Sequence, residues 1–339
     1  MKKEKIVLLG GGHGLSAVLK AFIDDKFETS IIVSTTDDGG HTGMIRSEFD
    51  VPALGDIRRC LASLIEDSTL SYLLDYRFEN IHNIKDVSLG NLILLSLLNN
   101  TDLESSMLNL KKTYNLKATL LPSINYSTDI YAKYDDKSII KGESNIPSKK
   151  RITDIYYSER ISITDNVKNA IKNADYIVIS PGSLYTSILP ILAIEEIRKL
   201  IKKSKAKLIY ISNMMTQNKE TDNYSILDTI KVIEKKLNRK IDTILSSSSI
   251  IDNEKREKYS YELSFPIKQS DDKRIIYTPL LDETSSQVRH DYRKVKQVIK
   301  DIIKEGWFPL FNILTLFLFL KFQDQYVQQL ILEYNQMLY

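Results

Sequence analysis

The chain has 339 residues, 42% of them hydrophobic and 27% charged, which is typical of a soluble globular protein with one large domain or two ordinary ones. A formal net charge of +3 gives no indication of a nucleic-acid partner. A single cysteine, Cys60, excludes an intramolecular disulfide framework and a zinc site made of several cysteines. Because the apolar run at residues 6–9 is too short for a signal peptide, we expect a cytoplasmic protein.

The first hundred residues predict a βαβ unit followed by two helices. Residues 5–10 form a short β-branched run that ends in glycine, residues 15–21 show helical spacing, and residues 30–34 form a second apolar run. Together these segments have the length of a βαβ unit. Residues 56–66 and 88–98 predict the two helices.

The pattern changes between about residues 118 and 163, where glycine and proline separate short alternating runs that predict a small β-rich insertion. Helices then alternate with strands again: helices at 165–173, 187–203, 225–237 and 291–304, and strands at 176–180, 207–212, 241–245 and 274–279. Such alternation predicts a parallel sheet covered on both faces. We therefore predict one doubly wound α/β domain over residues 1–305.

Residues 306–320 form an uncharged apolar run that is shorter than the roughly 20 residues of a membrane-spanning helix. Three interpretations of this run remain open. It is a buried or oligomer-forming element, an interfacial membrane anchor, or part of an unstructured tail. We treat residues 306–339 as an apolar C-terminal extension of unknown role.

The loop after the first strand predicts an anion-binding turn. Ligands of open parallel sheets bind at the carboxyl ends of the strands, and the sequence GGGHGLSA follows the first strand at residues 10–17. Gly12, Gly14 and Ala17 fit a permitted form of the dinucleotide fingerprint. Glycines let backbone N–H groups approach an anion, and the helix that follows adds its positive end. The alternative is a turn that needs glycine only for its backbone geometry.

The loop after the second strand carries two adjacent carboxylates, Asp37 and Asp38, followed by Gly39 and Gly40. Asp37 lies near the offset of ~20 residues at which an acidic residue binds a ribose hydroxyl. Two neighbouring carboxylates are also candidate ligands of Mg²⁺. A solvated turn is the third interpretation, since Asp-Gly is a common turn sequence.

Two later strand ends are polar as well. The sequence PGSLYTS at 181–187 combines Gly182 with the hydroxyls of Ser183, Thr186 and Ser187, which predicts a second phosphate-sized nest. A helix cap alone would explain Thr186 or Ser187 but not the whole group. Asn213 opens a fourth polar loop after the next strand.

Arginines add a possible phosphate contact at the start of a helix. Only one of the consecutive residues Arg58 and Arg59 can face a site, because neighbouring helix positions diverge, and Arg58 is our candidate. We assign Cys60 to the core. The sequence lacks a nucleophile elbow, a P-loop ending and an evident Ser/His/Asp order. It therefore predicts a nucleotide-shaped polyanion site without an obvious catalytic apparatus.

Seven motifs, in order along the chain, resemble the YvcK/CofD-like family. They are GGGHGLS at 10–16, DDGGHTGMIR at 37–46, GDIRRCL at 55–61, SLGNL at 88–92, SPGSLYTS at 180–187, NMMTQNKETD at 213–222 and VRHD at 288–291. The chain is most similar to the gluconeogenesis-factor (YvcK-type) branch. The other branch contains 2-phospho-L-lactate transferase.

The resemblance implies a Rossmann-like fold that binds a UDP-sugar such as UDP-N-acetylglucosamine. It also implies roles in growth on gluconeogenic carbon sources, cell-envelope balance and cell shape. The transferase branch would imply divalent-metal-assisted transfer between a nucleotide-linked phospholactate and a deazaflavin. Because the second-strand loop differs from that branch, we favour a non-catalytic regulator, with no required cofactor. An NAD-linked oxidoreductase, supported only by the glycine fingerprint, is the least favoured alternative.

Carried onto this chain, the resemblance implies one pocket made of several loops. Its residues are Gly11, Gly12, Gly14, Leu15, Asp37, Asp38, Gly39, Gly40, Asn91, Gly182, Ser183, Thr186, Ser187, Asn213, Tyr259 and Arg289. His13, also included in the site, stands where the family usually has threonine. Mg²⁺ at Asp37 and Asp38, a homo-oligomer and regulatory protein partners are compatible with the sequence, which does not decide among them.

Overall fold

A computed structural model describes residues 2–79, 86–146 and 150–305. The strands are β1 (Glu4–Gly10), β2 (Phe27–Val33), β3 (Ala118–Pro122), β4 (Tyr131–Tyr134), β5 (Ile139–Lys141), β6 (Ile152–Tyr156), β7 (Tyr176–Ile179), β8 (Lys207–Ile211), β9 (Thr243–Ser247) and β10 (Ile275–Thr278). The helices are α1 (Gly12–Val18), α2 (Gly40–Phe49), α3 (Gly55–Leu64), α4 (Ser68–Asp75), α5 (Leu89–Leu97), α6 (Leu103–Thr113), α7 (Asp165–Asn173), α8 (Leu189–Ala193), α9 (Glu195–Lys203), α10 (Ile226–Leu237), α11 (Asn253–Tyr261) and α12 (Tyr292–Glu305).

Seven strands form one sheet in the order β10-β9-β8-β7-β1-β2-β3, and every neighbouring pair is parallel. The prediction of a Rossmann-like, doubly wound and mostly parallel sheet is therefore confirmed. The chain builds outward from β1 to β3 and then returns to the other side of β1 with β7. The strand order thus reverses between β1 and β7, and the crevice at their carboxyl ends is where such sheets bind ligands.

Helices cover both faces of this sheet because alternate residues of each strand point to opposite sides. On β1, Val7 and Leu9 pack in the cluster that contains Ile197 of α9 and other residues of α8 and α10. Ile6 and Leu8 pack on the other face, in a cluster with residues of α1, α3 and α12. Cys60 is buried in that second cluster, as predicted.

The β-rich insertion is smaller than the sequence indicated. Its own sheet is antiparallel, in the order β5-β4-β6. The run that begins at Ala118 instead forms β3 and pairs in parallel with β2 at the edge of the large sheet. The sequence pattern could not distinguish these alternatives, because a short apolar run does not reveal which strand it pairs with.

Several helices also depart from expectation. The helix predicted at 187–203 is divided into α8 and α9 because Ile194 adopts an extended conformation between them. Helices α2, α4, α6 and α11 were not predicted. Among the described residues, no helix is long and apolar enough to cross a membrane. The C-terminal extension, 306–339, lies outside those residues.

Candidate functional site

The glycine-rich turn connects β1 to α1 at the point where the strand order reverses. Gly12 has φ +63°, in the left-handed region that favours glycine. A Cβ atom at Gly14 would overlap the carbonyl oxygen of Pro181 and lie 2.8 Å from the Gly182 nitrogen. The glycines therefore let this turn lie directly against the 181–187 loop, and the two predicted nests form one site.

The side chain of Asp56, at the start of α3, stabilises the same turn. Its Oδ2 accepts a hydrogen bond from the Gly12 N–H at 2.5 Å, and its Oδ1 pairs with Arg59 at 2.6 Å. Burial raises the pKa of this carboxyl, and the Arg59 charge opposes that shift. Since Gly12 already donates to Asp56, that N–H does not point to a ligand. From its sequence context, Asp56 was predicted only to begin a helix.

Asn213 fixes the second loop through both polar atoms of its side chain. Its Oδ1 accepts from the Gly182 N–H at 2.8 Å, and its Nδ2 donates to the Gly182 carbonyl at 2.7 Å. The adjacent Ser183 hydroxyl donates to Glu220 and accepts from the Thr186 N–H at 3.1 Å. Burial raises the pKa of Glu220. Asn213 and Glu220 therefore position the loop, and Glu220 was not among the predicted site residues.

The third wall comes from α11 and the segment before α12. The Tyr259 hydroxyl accepts from the Val288 N–H at 3.1 Å, which fixes α11 beside Arg289. Two hydrogen bonds between Thr216 and Phe265, at 2.7 and 3.0 Å, attach the end of α11 to the loop after β8. Tyr259 and Arg289, which lie far along the chain from the glycine turn, are thereby placed at the carboxyl ends of the central strands.

These walls enclose a cleft of about 600 Å³. Ten predicted residues line it: Gly11, Gly12, His13, Gly14, Gly182, Ser183, Ser187, Asn213, Tyr259 and Arg289. Further lining residues include Met214, Gln217, Lys258, Glu262, Gln287 and His290. A cavity of this size is sufficient for a nucleotide-sized ligand.

Cationic groups set the electrostatics of the cleft. Within the described part of the chain, the Arg289 guanidinium makes no hydrogen bond and no ion pair, and Lys258 also lines the cleft. Desolvation and the nearby charges of Arg59 and Arg289 lower the pKa of His13 to about 4. His13 is therefore neutral at pH 7 and donates or accepts hydrogen bonds without adding charge.

Arg58 does not line the cleft. Its Nη1 donates to the Leu74 carbonyl at 3.0 Å and pairs with Asp75, so the side chain connects α3 to α4. Of the two consecutive arginines, Arg59 is the one that reaches the glycine turn through Asp56. Neither arginine lines the cleft: Arg58 connects two helices, and Arg59 is the closer of the two to the glycine turn.

Leu15, Asn91 and Thr186 also lie outside the lining. Leu15 packs in the core, because it lies on the inner face of α1. Asn91 is buried, and its Oδ1 has no hydrogen-bond partner among the described residues. Thr186 follows Ser183 in the turn of residues 184–188 and contributes its N–H to that loop.

The loop after β2 lies beside the insertion rather than in the cleft. Asp38 accepts N–H groups from Glu143 at 3.0 Å and from Ser144 at 2.7 Å. Asp37 accepts from the Gly39 N–H at 2.9 Å, and Gly40 begins α2. Burial and the charge of Asp37 raise the pKa of Glu143 well above its usual value.

These contacts bear on the predicted Mg²⁺ ligands. Both oxygens of Asp38 bind backbone N–H groups, whereas Asp37 uses only Oδ1 in this way. Among the described residues, no group of three or more His, Cys, Asp or Glu side chains is arranged to hold a metal ion. Asp37 therefore fits a metal better than Asp38 does, and the Mg²⁺ assignment stays a prediction.

Comparison with known proteins matches almost the whole described chain to one family. Residues 6–305 match the family described as 2-phospho-L-lactate transferase CofD. The gluconeogenesis factor of Bacillus subtilis is 35% identical over 315 residues, which cover 90% of this chain and 99% of that protein. The gluconeogenesis factor of Halalkalibacterium halodurans is 35% identical over 88% of this chain and 96% of its own length.

A solved structure supports the same relationship. The crystal structure of a UPF0052 family member from Bacillus halodurans is 34% identical and superimposes with a TM-score of 0.84. The match covers 88% of this chain and all of that chain. The two proteins therefore share the fold over most of this chain.

Proposed function

The chain belongs to the CofD family and resembles its gluconeogenesis factors over most of its length, and from this premise we propose that it is a gluconeogenesis factor that binds a nucleotide-linked sugar. The ligand we propose is UDP-N-acetylglucosamine or a close analogue. Binding regulates carbon metabolism, cell-envelope synthesis and cell shape without chemical turnover.

The main support for this proposal is the position of the Arg289 guanidinium. Arg289 lines a cleft at the reversal of strand order, and within the described residues its guanidinium has no partner. A guanidinium suits bidentate recognition of phosphate. Arg59 adds positive charge near the glycine turn, and Lys258 also lines the cleft. A diphosphate near His13 and Arg289 would leave the rest of the cleft for the uncharged parts of the ligand.

The wall of the cleft supports binding rather than turnover. The Ser183 hydroxyl donates to Glu220 while it accepts the Thr186 N–H, which is the arrangement of a helix cap. His13, with a pKa near 4, is a weak base at pH 7. These groups hold and orient a ligand more readily than they activate one.

Binding and turnover are separable by experiment. A thermal-shift panel with UDP-N-acetylglucosamine, UDP-glucose, NAD and GDP, each with EDTA or Mg²⁺, identifies the ligand. A ligand at 100 times its Kd stabilises the fold by about 2.7 kcal/mol. We expect a shift with the UDP-sugars in EDTA and no product after prolonged incubation. A shift with NAD or GDP alone contradicts the proposed ligand.

The cellular role has its own test. We expect this chain to restore growth on a gluconeogenic carbon source to a Bacillus subtilis strain that lacks its gluconeogenesis factor. Arg289→Ala should fail to do so at equal protein level if the ligand is required. Restoration by neither protein would contradict the regulatory role without affecting the binding result.

A metal-dependent transferase that acts on a nucleotide-diphosphate-linked substrate is the second candidate. The family match favours it, and so does Asp37, whose Oδ2 accepts no hydrogen bond among the described residues. It requires Mg²⁺-dependent product formation that disappears in Asp37→Asn. Asp38→Asn is a less specific test, because Asp38 also holds the insertion.

A further inference from the structure

Exposed lysines collect at the edge of the large sheet that lies opposite the cleft. All seven strands of this sheet are parallel and begin at that edge. Each strand is preceded within four residues by an exposed lysine, from Lys3 before β1 to Lys273 before β10. The parallel arrangement therefore brings lysines from distant parts of the sequence to one face of the molecule.

The lysines are densest at the centre of this edge, where β8, β7 and β1 are neighbours. The register pairs Lys207 with Tyr176, and Tyr176 with Ile6, so the segments before these strands end side by side. Neighbouring strands lie about 5 Å apart, so the three strands span about 10 Å, one Debye length at moderate ionic strength. We define the basic edge as the exposed residues Lys2, Lys3, Lys172, Lys203, Lys205 and Lys207.

Carboxylates do not neutralise the basic edge. Among the described residues, none of its six lysines forms an ion pair. The carboxylate of Asp175, just before β7, instead accepts the Lys5 N–H at 2.8 Å. The exposed carboxylates at the starts of the flanking strands β2, β9 and β10 are Asp25, Glu28, Asp242 and Asp271. The positive charge is thus concentrated on the three central strands.

Helix ends explain only part of this charge. In a parallel α/β sheet the helices end where the strands begin, and the helix macrodipole stabilises cations in the last turn. Lys172 and Lys203 are such residues, at the ends of α7 and α9. The effect is confined to the last turn, whereas Lys205 and Lys207 follow α9, and Lys2 precedes the first strand. These lysines need another explanation.

We propose that the basic edge docks on the surface of a negatively charged lipid bilayer, with the cleft facing away from it. The ammonium group of lysine is a hydrated point charge, and clusters of such charges are attracted to anionic lipid head groups without a specific pocket. The cleft lies at the carboxyl ends of the same strands. A docked molecule therefore keeps its cleft open to a soluble ligand.

The end of α12 favours a bilayer over a nucleic acid as the partner. Lys296 donates to the Ile23 carbonyl at 2.7 Å, and Lys300 pairs with Asp24 at 2.8 Å, so α12 ends beside the start of β2. The sequence then continues with the uncharged apolar run at 306–320. Stable membrane anchoring commonly combines an apolar segment with a cluster of basic residues. A nucleic acid would complement the charge alone.

Cosedimentation of the full-length chain with lipid vesicles tests the proposal. The vesicles contain phosphatidylcholine alone or with about 30% phosphatidylglycerol, which supplies the negative surface potential. We expect binding to the anionic vesicles only. Raising the salt concentration from about 0.1 M to about 1 M should release the protein, because the Debye length falls from about 10 Å to about 3 Å.

Neutralising lysines of the basic edge should weaken this binding. The triple variant Lys203→Gln, Lys205→Gln and Lys207→Gln should bind anionic vesicles roughly 50- to 200-fold more weakly, since each lysine near such a surface contributes about fivefold. The matched control changes Lys219, Lys231 and Lys268 to Gln; these exposed residues lie on α10 or in the loops beside its start. It loses the same charge and should bind as the wild type does.

A second variant keeps the test independent of folding. Circular dichroism melts establish that each variant is folded, and Lys2→Gln with Lys3→Gln provides the measurement if the triple variant is not. Both residues precede the first strand, and their loss should weaken binding about 25-fold. UDP-N-acetylglucosamine should bind all these variants as it binds the wild type, because none of the changed residues lines the cleft.

The remaining outcomes overturn the proposal. Equal binding to neutral and anionic vesicles, or to neither, would show that the basic edge does not attract a bilayer. Equal affinities of the triple variant and its control would place the charge effect elsewhere. Tighter binding to a short duplex DNA or a single-stranded RNA than to anionic vesicles would make a nucleic acid the partner. Failure to bind UDP-sugars would overturn the proposed function and leave the vesicle result standing.

Discussion

Asn213 forms two hydrogen bonds with the backbone of a single residue, Gly182, which lies on the neighbouring strand's loop. Its Oδ1 accepts from the Gly182 N–H at 2.8 Å, and its Nδ2 donates to the Gly182 carbonyl at 2.7 Å. Gly182 has φ +154° and faces the glycine turn after β1. The loops after β7 and β8 are therefore held together before any ligand arrives.

Asn213→Ala should weaken both the fold and the site. The change removes both bonds and leaves Gly182 N–H and C=O groups partly buried, which costs about 1–3 kcal/mol of unfolding free energy. Asn109→Ala, on an exposed position of α6, is the matched control and should be neutral. Urea denaturation and calorimetry with UDP-N-acetylglucosamine give the two values. Unchanged stability in Asn213→Ala would contradict the structural role of these bonds.

Gly14→Ala should prevent close contact between the two nests. The new methyl group overlaps the Pro181 carbonyl and approaches the Gly182 nitrogen, and backbone atoms yield less readily than side chains. We expect a loss of about 1–3 kcal/mol, as in overpacked cores, with weaker ligand binding. In Gly40→Ala the methyl group meets no atom within 4 Å, and the cost is that of a left-handed alanine alone, about 1–2 kcal/mol.

The binding comparison distinguishes these glycine variants more clearly than their stability does. Gly40 begins α2, away from the cleft, so Gly40→Ala should retain ligand affinity. Gly14→Ala should lose it, because the turn can no longer lie against Gly182. Equal affinity in both variants would argue against a ligand that contacts the 181–187 loop and the glycine turn together.

Arg289→Ala should weaken UDP-sugar binding by about 10- to 150-fold, the range for a hydrogen bond to a charged group. The fold should be unaffected, because the guanidinium makes no hydrogen bond and no ion pair within the described residues that its loss would break. Arg293→Ala, an exposed arginine on α12, is the control. Wild-type affinity in Arg289→Ala would remove the main support for the proposed phosphate position.

Local patterns in the sequence were sufficient to predict the sheet and the glycine turn. Each glycine- or hydroxyl-bearing loop directly follows a strand in the sequence. Parallel strands bring their carboxyl ends, and therefore these loops, to one edge of the sheet. Ten predicted ligand residues consequently line the cleft. Asp56 and Glu220 were missed because their partners, Gly12 and Ser183, lie 44 and 37 positions away, and no local pattern reports such pairings.

The remaining departures have similar physical causes. Asp75 and the Leu74 carbonyl, from α4, fix the orientation of Arg58, and the sequence of α3 alone contains neither. Helix α2 begins at Gly40, within the predicted polar loop, and glycine disfavours helices. A Cβ at Gly43 would overlap the Asp38 carbonyl, so this glycine is required by a close contact within the first turn.

His290 should make the fold less stable in acid. The unfolded chain protonates this imidazole near pH 6.5, whereas burial keeps its folded-state pKa at about 4. Between these values the unfolded state binds more protons, so stability is full above pH 6.5 and decreases as the pH falls toward 4. The 2.5-unit difference corresponds to about 3 kcal/mol.

His290→Asn isolates this contribution. Urea denaturation at pH 7 and pH 4.5 should show a larger loss of unfolding free energy in the wild type than in His290→Asn. Carboxylates that titrate in the same range cancel in the comparison, because both proteins contain them. His41→Asn should behave as the wild type does. Parallel losses in wild type and His290→Asn would contradict the assigned pKa.

His13 should take up a proton when an anionic ligand binds. Desolvation and the charges of Arg59 and Arg289, with smaller effects of Arg58 and Arg77, lower its pKa to about 4. A bound diphosphate offsets the arginine charges, because an opposite charge nearby favours the protonated imidazole. The pKa of His13 is then higher in the complex than in the free protein. Linkage therefore requires the affinity for the UDP-sugar to rise as the pH falls from 7 toward 5.

Calorimetry at pH 5.5 in two buffers of different ionisation enthalpy measures this uptake directly. The apparent binding enthalpy of the wild type should depend on the buffer, and that of His13→Thr should not, since threonine does not titrate in this range. His13→Thr should still bind, because a hydroxyl also donates a hydrogen bond to phosphate. The same buffer dependence in both proteins would assign the proton to another group and contradict a ligand-induced rise in the pKa of His13.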